Sequence, residues 1–329
     1  MRRFSLFLAG LFFSLSLVVS AGETVRVLTF NIRTSDGEIG KPHEWKHRRD
    51  QVFDIIRQGD YDFVGLQEAI LTQRPDLNQV ADLQKALPEY RLFTRSRVPS
   101  ETEGESTPLM YRADRWEMDE AEHGVFWLSG EPNIPGSNTW KNACPRTVVW
   151  GKFYELKEGS RTGRAVLFIN THFDHVNRHA CKLASVAVLD FAAKKWKAYG
   201  AELPTILTGD LNRREEHEPI RYLLGKPMEL DGKTMTPPLK LVDSFRAIHP
   251  DEKYVQTFHG FRGEKAEEFQ TTAPERYRDI NLREFKIDFV LATPTLKPLS
   301  SEILRTSKNN LFPSDHYPVN AVFEWKSGQ

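Results

Sequence analysis

The chain has 329 residues, and its 45 Lys and Arg residues are balanced by 45 Asp and Glu residues. This zero formal net charge argues against non-specific nucleic-acid binding, which relies on excess cationic side chains to neutralise phosphates, although a local basic patch remains possible. No low-complexity linker, charge block or repeat divides the chain. We therefore predict a single domain over residues 22–329 rather than two small domains.

The N-terminus has the pattern of a secretory signal peptide. Arg2 and Arg3 precede an apolar run over residues 4–19, and small residues follow at Ser20 and Ala21. A retained membrane anchor is the alternative, but the run is short for a bilayer span of about 20 residues and no second apolar stretch follows. We expect residues 1–21 to be removed and the protein to be secreted or periplasmic.

Short strands dominate the remaining chain. Alternation predicts strands over 24–33 and 62–69, and helical spacing of apolar residues predicts helices over 45–60 and 79–87. Further strands are predicted in TPLMYR, RTVVWGKFYEL, AVLFINTHFDH, PTILTGDLN, KIDFVLAT and NAVFEW, and the strongest helix over 179–199. Residues 97–146, rich in Pro, Gly and Ser, are predicted to form long loops. Strands that outnumber helices favour an α+β fold of two packed sheets with outer helices.

The chain has two cysteines, Cys144 and Cys181. Export would place them in an oxidising compartment, where a disulfide can persist. Their spacing is not CxxC, and two thiols alone do not make a zinc site. The sequence leaves both a Cys144–Cys181 disulfide and two buried free thiols open.

Polar side chains stand at or near the ends of the apolar runs. In ILTGDLN, Asp210 and Asn212 are two residues apart in a predicted strand, so both are expected to point to one spot, where Gly209 loosens the backbone. Taken singly, each such residue can be explained without a function, for example as a turn former or as a buried histidine whose hydrogen bonds are satisfied. Their repetition at the strand ends is not explained by independent turn or surface positions. These residues are Asn31, Glu68, His172, Asp174, Asp210, Asn212, Asp288, Asp315 and His316.

This set suits the hydrolysis of a phosphate ester. Mg²⁺ prefers oxygen ligands, which a carboxylate such as Glu68 and an amide such as Asn31 supply. A bound cation would offset charge on the phosphoryl oxygens and the leaving group. A histidine paired with a carboxylate can act as a general base toward water, and two such histidines are available.

These residues also carry a resemblance to a known family. TFNIR, GLQEA, GESTPLMYR, INTHFDH, LTGDLN, KIDFVLAT and SDHYPV occur in that order over residues 25–323. The chain in this respect resembles the endonuclease/exonuclease/phosphatase superfamily, the DNase I-like metal-dependent phosphoesterases. FWLSGEP (126–132), the NACPR that holds Arg146 and YVQTFHGF (254–261) further resemble a bacterial exported group near the nocturnin-like branch. The resemblance implies a four-layer α/β/β/α sandwich of two mainly antiparallel sheets, Mg²⁺ or Mn²⁺ as cofactor, and a phosphate-ester substrate. We expect a monomer.

The resemblance implies roles for the residues on the metal side of the site. Glu68 would be the main metal ligand, Asn31 would support the metal or the phosphate, and Asp315 would lie near the metal. His172 would stabilise the pentacovalent transition state, with Glu105 as its partner. Loss of such charge stabilisation typically costs orders of magnitude in rate.

The catalytic roles implied by the resemblance fall on two further pairs of residues. Asp210 would orient the attacking water, and Asn212 would hold a phosphoryl oxygen. His316 would donate to the phosphate or share the role of base, and Asp288 would orient it. Water would then attack phosphorus directly, without a covalent enzyme intermediate.

Substrate-binding residues are harder to identify. Arg146 could place a bidentate guanidinium on a phosphate or form a structural salt bridge. His175 and His259 are further candidates near the substrate. Trp127 and Trp140 could stack on a base or a sugar, although core packing is the commoner fate of tryptophan.

Several activities within the superfamily remain open. Abasic-site endonucleases carry an acidic residue two positions after the strand-end Asn, where this chain has Arg33, so DNA repair is disfavoured. A secreted nuclease and a sphingomyelinase-like phospholipid phosphodiesterase are the alternatives. A non-catalytic binding module is less favoured because no expected catalytic residue is missing.

Overall fold

A computed structural model describes residues 24–199, 203–266 and 284–326. The predicted signal peptide lies outside these ranges. Within them the chain forms two six-stranded sheets and two short two-stranded ribbons. No helix among the described residues is long and apolar enough to cross a membrane.

In the described part of the chain, strand-rich segments alternate with five α-helices. The strands are β1 (Thr24–Asn31), β2 (Phe63–Gln67), β3 (Ala69–Leu71), β4 (Tyr90–Phe93), β5 (Gly104–Ser106), β6 (Leu109–Arg112), β7 (Trp116–Trp127), β8 (Thr147–Lys157), β9 (Ser160–His172), β10 (Thr205–Asp210), β11 (Met228–Leu230), β12 (Lys233–Met235), β13 (Val242–Asp243), β14 (Asp288–Ala292), β15 (Leu296–Ile303) and β16 (Val319–Trp325). The helices are α1 (Trp45–Gly59), α2 (Gln79–Ala86), α3 (Arg178–Ala198), α4 (Glu218–Leu223) and α5 (Ser244–Ile248), with 3₁₀ turns at Asp36–Glu38 and Gly263–Ala266.

Each large sheet is antiparallel except at one central pair. The first sheet has the order β15-β16-β1-β2-β6-β4, and its β1–β2 pair is parallel. The second has the order β13-β14-β10-β9-β8-β7, and its β9–β10 pair is parallel. Parallel neighbours end at the same edge of a sheet. The carboxyl ends of all four central strands can therefore contribute side chains to a common region.

Three apolar clusters define the layers. One fills the space between the sheets and includes Val27, Phe168 and Val290. A second packs α1 and α2 on the outer face of the first sheet, and a third packs α3 and α4 on the outer face of the second sheet. This arrangement is the four-layer α/β/β/α sandwich, so the predicted fold class is confirmed.

The predicted helices agree closely with the observed ones because their end signals are local. The side chain of Asn78 accepts a hydrogen bond from the Ala81 amide at the start of α2, and that of Asn177 accepts one from the Ala180 amide at the start of α3. Such caps satisfy otherwise unpaired backbone donors. α1 ends one residue earlier than predicted, where Asp60 adopts a left-handed conformation with φ of 48°.

The prediction of long loops over 97–146 was wrong for residues 116–127. These residues form β7, a twelve-residue strand at the edge of the second sheet. An edge strand is paired on one side only and exposes much of its surface, so it tolerates the acidic residues of WEMDEAEH that obscure the alternation. Its register with β8 also shifts between Met118 and His123, which breaks the expected period of two.

A buried polar layer joins the two sheets, and it was not anticipated from the sequence. The side chain of Asn170 in β9 donates to the carbonyls of Leu66 (2.7 Å) and Pro108 (2.9 Å) of the opposite sheet. Its oxygen accepts from Gln67 Nε2 (2.8 Å) and Thr208 Oγ1 (3.0 Å). All polar capacity of this fully buried amide is used, so the layer fixes how the strand ends of one sheet face those of the other.

We expect Asn170→Ala to reduce the free energy of unfolding by about 3 kcal/mol, because the substitution leaves several buried donors and acceptors unpaired. Urea unfolding followed by circular dichroism would measure this loss. Asn133, exposed in the β7–β8 loop, offers a matched control, and Asn133→Ala should change stability by less than about 0.5 kcal/mol. Equal stability of the two variants would contradict the inter-sheet role.

Candidate active site

The candidate site lies where the central strands end, and left-handed residues shape it. Glu68 follows β2 with φ of 62°, and Arg33 and Asn212 lie two residues beyond β1 and β10 with φ of 55° and 48°. Such conformations are costly for residues other than Gly and concentrate at functional sites. Asn212 therefore lies outside the strand, and the strand alternation predicted for it and Asp210 was wrong.

Gly209 has a different role from the flexibility expected of it. It remains in β10, and a Cβ atom at this position would lie 2.4 Å from the Thr171 carbonyl of the neighbouring strand. The missing side chain therefore allows β9 and β10 to approach closely. This approach pairs Asp210 with His172 in the sheet register.

Asp210 lies at the centre of the cluster. Its Oδ2 atom accepts a hydrogen bond from Asn31 Nδ2 (3.0 Å) and lies 3.4 Å from His172 Nε2 and 3.7 Å from His316 Nε2. Its Oδ1 atom accepts from the Asn212 amide at 2.9 Å. Burial raises the pKa of Asp210 above its ordinary value, with the charge of His316 opposing that rise. A carboxylate made more basic in this way is better suited to accept a proton.

His316 is held by Asp288. Its Nδ1 atom lies 2.8 Å from Asp288 Oδ2, and the first residue of β14 is thereby linked to the loop before β16. Burial acts to lower the pKa of His316, but the negative charges, led by that of Asp288, raise it to about 10. The ring is therefore protonated at neutral pH and can donate from Nε2 toward the centre of the site.

His172 is neutral and accepts a hydrogen bond. Burial lowers its pKa well below the usual value, and nearby Arg146 acts in the same direction. Asn212 Nδ2 lies 3.0 Å from His172 Nε2, so Nε2 is the acceptor and Nδ1 carries the proton. Nδ1 faces Glu105 at 3.8 Å, which exceeds hydrogen-bond length, and Glu105 bonds Arg97 at 2.6 Å instead.

Glu68 faces the opposite side of the cluster. Its Oε1 atom accepts from Asn31 Nδ2 at 3.0 Å, and its Oε2 atom accepts from the Thr34 amide at 3.2 Å. Burial acts to raise the pKa of Glu68, but the charge of Arg33 and further interactions lower it to about 2. Asp315 lies nearby, 3.7 Å from Arg33 Nε. Glu68 is therefore ionised throughout the physiological pH range.

The donor set fits a divalent cation. Single ligand atoms of Glu68, His172 and Asp210 lie within 4.8 Å of one another. Those of Asp210, Asp288 and His316 do so as well, but protonated His316 pairs with Asp288 there and cannot act as a ligand. Buried carboxylate oxygens are what hard cations such as Mg²⁺ prefer, and a cation would offset their mutual repulsion. Asn31 presents its amide nitrogen to Glu68 and Asp210, and its oxygen accepts from the Arg33 amide at 3.0 Å.

Arg146 borders the His172 side of the cluster and is almost completely buried. Its Nη2 atom lies 3.0 Å from His175 Nδ1, and its Nη1 and Nε atoms lie 3.8 Å and 3.9 Å from Glu105 and Asp174. The ion-pair interpretation thus has geometric support, and the guanidinium also lines a small cavity shared with His172 and Arg97. His175 itself is exposed at the mouth of the site.

His259 is fully buried against the turn that carries Asp315 and His316. Its ring stacks on Tyr317 with centroids 4.0 Å apart, and its Nδ1 atom accepts from the Gly263 amide at 3.1 Å. Its backbone amide donates to the Asp315 carbonyl at 2.8 Å. The ring is thus placed to support this turn rather than to face solvent.

Burial lowers the pKa of His259 from 6.5 to about 3, which makes stability pH-dependent. Below pH 6.5 the ring of His259 is protonated in the unfolded chain, but in the folded protein it stays neutral down to about pH 3. The contribution of His259 to stability therefore falls as pH falls. Between about pH 7.5 and about pH 4.5 wild-type protein should lose about 2 kcal/mol more than His259→Gln, measured by urea unfolding of both proteins. A constant difference between them would refute a neutral buried His259.

Of the two alternatives left open by the sequence, the structure has free thiols at both cysteines, although only Cys181 is buried. Cys181 is buried in α3 and its Sγ atom donates to the Asp174 carbonyl at 3.0 Å. Burial raises the pKa of this thiol to about 12. Cys144 lies in the β7–β8 loop, partly exposed. Trp127 is buried at the end of β7, in line with the packing interpretation.

Arg48 is a site-supporting residue that the sequence did not reveal. This fully buried guanidinium donates to the carbonyls of Ile32, Arg33 (2.6 Å) and Pro313 (3.0 Å). It therefore connects the turn after β1 with the loop before β16. In the sequence it stands in the charged stretch WKHRRD at the start of a helix, where it resembles an ordinary surface residue.

The fold and this cluster define a phosphate-ester hydrolase of the DNase I-like class. The model of the Endonuclease/Exonuclease/phosphatase family matches residues 28–316, and the chain belongs to that family. No curated protein matches it by sequence.

Solved structures agree in fold. An endonuclease/exonuclease/phosphatase from Bacteroides vulgatus is 28% identical, with a TM-score of 0.73 over 92% of this chain and 99% of that one. A mannosyl-6-phosphatase from Bacteroides thetaiotaomicron is 24% identical, with a TM-score of 0.69 over 90% and 98%. The human nocturnin catalytic domain with bound sulfate is 14% identical, with a TM-score of 0.64 over 94% and 97%. The last two support the fold alone.

Proposed function

We propose that this protein is an exported, Mg²⁺-dependent phosphoesterase in which water attacks phosphorus directly. The observation that carries the proposal is the buried meeting of Asp210 with His172 and His316 beside Glu68. The export part rests on the pattern of residues 1–21 alone. A covalent cysteine route finds no support, because the raised pKa of Cys181 makes its thiol a poor nucleophile.

In this proposal Asp210 positions the attacking water and accepts its proton. His316 would donate to a phosphoryl oxygen, which its protonation by the surrounding carboxylates supports, and Asp288 would hold its ring. Asn212 would bond a phosphoryl oxygen on the same side. Its Nδ2 atom lies 3.0 Å from Nε2 of neutral His172 and donates to the Phe173 carbonyl at 3.0 Å, so it would exchange one of these bonds for the phosphate. Donors fixed before the reaction stabilise developing charge without reorganisation.

Glu68 and Asp315 are the carboxylates that would hold the cation, Mg²⁺ or Mn²⁺. Asn31 would support them rather than bind the cation, because its amide nitrogen is not a metal ligand and its Oδ1 atom accepts from the Arg33 amide at 3.0 Å. When bound there, such a cation offsets negative charge on the phosphoryl group and the leaving oxygen. Arg146 and His175 border the other side of the site and would contact the substrate. Asn31 donates to both Glu68 and Asp210 through its amide nitrogen and so holds the two carboxylates in position relative to each other.

The test is hydrolysis by the mature chain of p-nitrophenyl phosphate, bis-p-nitrophenyl phosphate, sugar phosphates, sphingomyelin, RNA and plasmid DNA. Each would be assayed with Mg²⁺, Mn²⁺ or EDTA. We expect turnover of at least one substrate that EDTA abolishes and either cation restores. Metal-bound, folded protein that hydrolyses none of them would shift support to a non-catalytic binding module. Turnover of polynucleotides only would favour the nuclease alternative.

A further inference from the structure

Arg33 has the structural marks of a functional residue. Its left-handed backbone (φ 55°) is shared with Glu68 and Asn212, the residues proposed to bind metal and phosphate. Such a conformation is unfavourable for a long side chain and persists only where the surroundings impose it. Among the arginines that the structure describes, Arg33 alone has this conformation, which eight further non-glycine residues outside the Glu68 and Asn212 positions also adopt.

Neighbouring side chains impose that conformation. The Arg33 amide donates to Asn31 Oδ1 at 3.0 Å, and its carbonyl accepts from Arg48 Nη2 at 2.6 Å and Gln79 Nε2 at 2.9 Å. Gln79 and Arg48 are both fully buried. The backbone of Arg33 is therefore fixed by three side-chain hydrogen bonds.

The Arg33 guanidinium lies among the carboxylates of Glu38, Glu68 and Asp315. Glu38 Oε1 bonds Arg33 Nε (2.9 Å) and lies 2.8 Å from Nη2, which anchors one edge of the fork. The Nη1 atom faces Glu68 Oε2 at 3.6 Å, too far for a hydrogen bond but close enough for charge attraction. The Arg33 side chain is 32% exposed, compared with 14% for Glu68, so the guanidinium is the outer of the two groups.

We propose that Arg33 binds a non-bridging oxygen of the substrate phosphate and makes the site selective for phosphomonoesters over phosphodiesters. The inference rests on the proposed function and narrows its substrate class. Arg33 adjoins Glu68 and Asp315, whereas His316 and Asn212 adjoin Asp210. A phosphate bound at the cluster would meet Arg33 beside Glu68 and the His316 donor beside Asp210.

The number of oxygens decides the selectivity. The cation side would take one non-bridging oxygen, and the His316 and Asn212 side would take the other; a diester has only these two. A monoester has a third, and the Arg33 fork is placed to receive it as a charge-assisted hydrogen bond. A diester would put its second ester group against the guanidinium, which would then lose solvent without gaining a partner.

The first test compares kcat/KM for p-nitrophenyl phosphate and bis-p-nitrophenyl phosphate in wild type and Arg33→Met. Wild type should prefer the monoester, and Arg33→Met should lower monoester kcat/KM about 100-fold, mainly through KM, with diester values changed less than about threefold. Arg33→Lys should recover part of the monoester activity. Arg57→Met, at an exposed arginine of α1 paired with Asp54, is the matched control and should leave both unchanged.

The second test needs no turnover. Titration calorimetry of inorganic phosphate with the Mg²⁺-loaded protein should show about 100-fold weaker binding for Arg33→Met. Equal losses on monoester and diester, or unchanged phosphate affinity in a variant that melts like wild type, would overturn the assignment. If wild type hydrolyses neither ester yet binds phosphate through Arg33, the proposed hydrolysis fails while the Arg33 assignment stands.

Discussion

Asp210→Asn should lower turnover about 10³-fold or more while leaving the fold intact, because the change removes a base and its charge but almost no volume. The carboxylate receives Asn31 Nδ2 at 3.0 Å and the Asn212 amide at 2.9 Å, so its two oxygens are already aligned. A neutral amide in the same place can still accept hydrogen bonds, but it cannot take a proton from water.

Single-turnover and steady-state rates on the best substrate of the panel would measure this loss, and thermal unfolding would show whether the variant is folded. The matched control is Asp50→Asn, because Asp50 is an exposed aspartate of α1 whose side chain is 87% accessible. That control should keep wild-type activity. An Asp210→Asn enzyme with more than about a tenth of wild-type kcat would exclude Asp210 as the base.

His316→Gln should lower kcat about 10²- to 10³-fold, because it removes the positively charged imidazolium that faces the negative charge developing on the phosphate. The substitution also leaves Asp288 without the ring that lies 2.8 Å from its carboxylate. An unpaired buried carboxylate is destabilising, so some loss of thermal stability should accompany the loss of activity. Asp288→Asn should impair activity less, since the ring remains in place.

The pH–rate profile separates the loss of His316 as a proton donor from the accompanying loss of stability. In wild type the limb that reports His316 should lie on the alkaline side, because its pKa is raised to about 10, and this limb should disappear in His316→Gln. Exposed His47 of α1 supplies the control, and His47→Gln should leave rate and profile unchanged. A His316→Gln profile that retains the alkaline limb with undiminished kcat would show that His316 does not act in the reaction.

The polar strand ends could be predicted because their signal is local. Asn31, Glu68 and Asp210 each close an apolar run, and a run of that kind marks a strand whatever surrounds it. The same reasoning failed at Asn212, where the chain leaves the strand and turns left-handed. Alternation applies only while the strand continues, and the sequence does not mark that point.

The sequence patterns also failed to predict the edge strands β7 and β15. β7 contains WEMDEAEH, and β15 contains Pro298 at a register shift with β16. A strand with one free edge needs neither a continuous apolar face nor an unbroken ladder of hydrogen bonds. Patterns based on central strands therefore miss such elements, although the central strands alone position the candidate site.

The sequence by itself determined which residue types stand at the strand ends, and with them the class of chemistry, because strand patterns and helix caps depend on neighbours in the chain. Only the tertiary structure decided which ends meet: the parallel pairs β1–β2 and β9–β10 bring Asn31 to Glu68 and His172 to Asp210. It also decided the surroundings of Arg33 and the protonation of His316. Those properties depend on burial and on charges far apart in the chain, which no local pattern encodes.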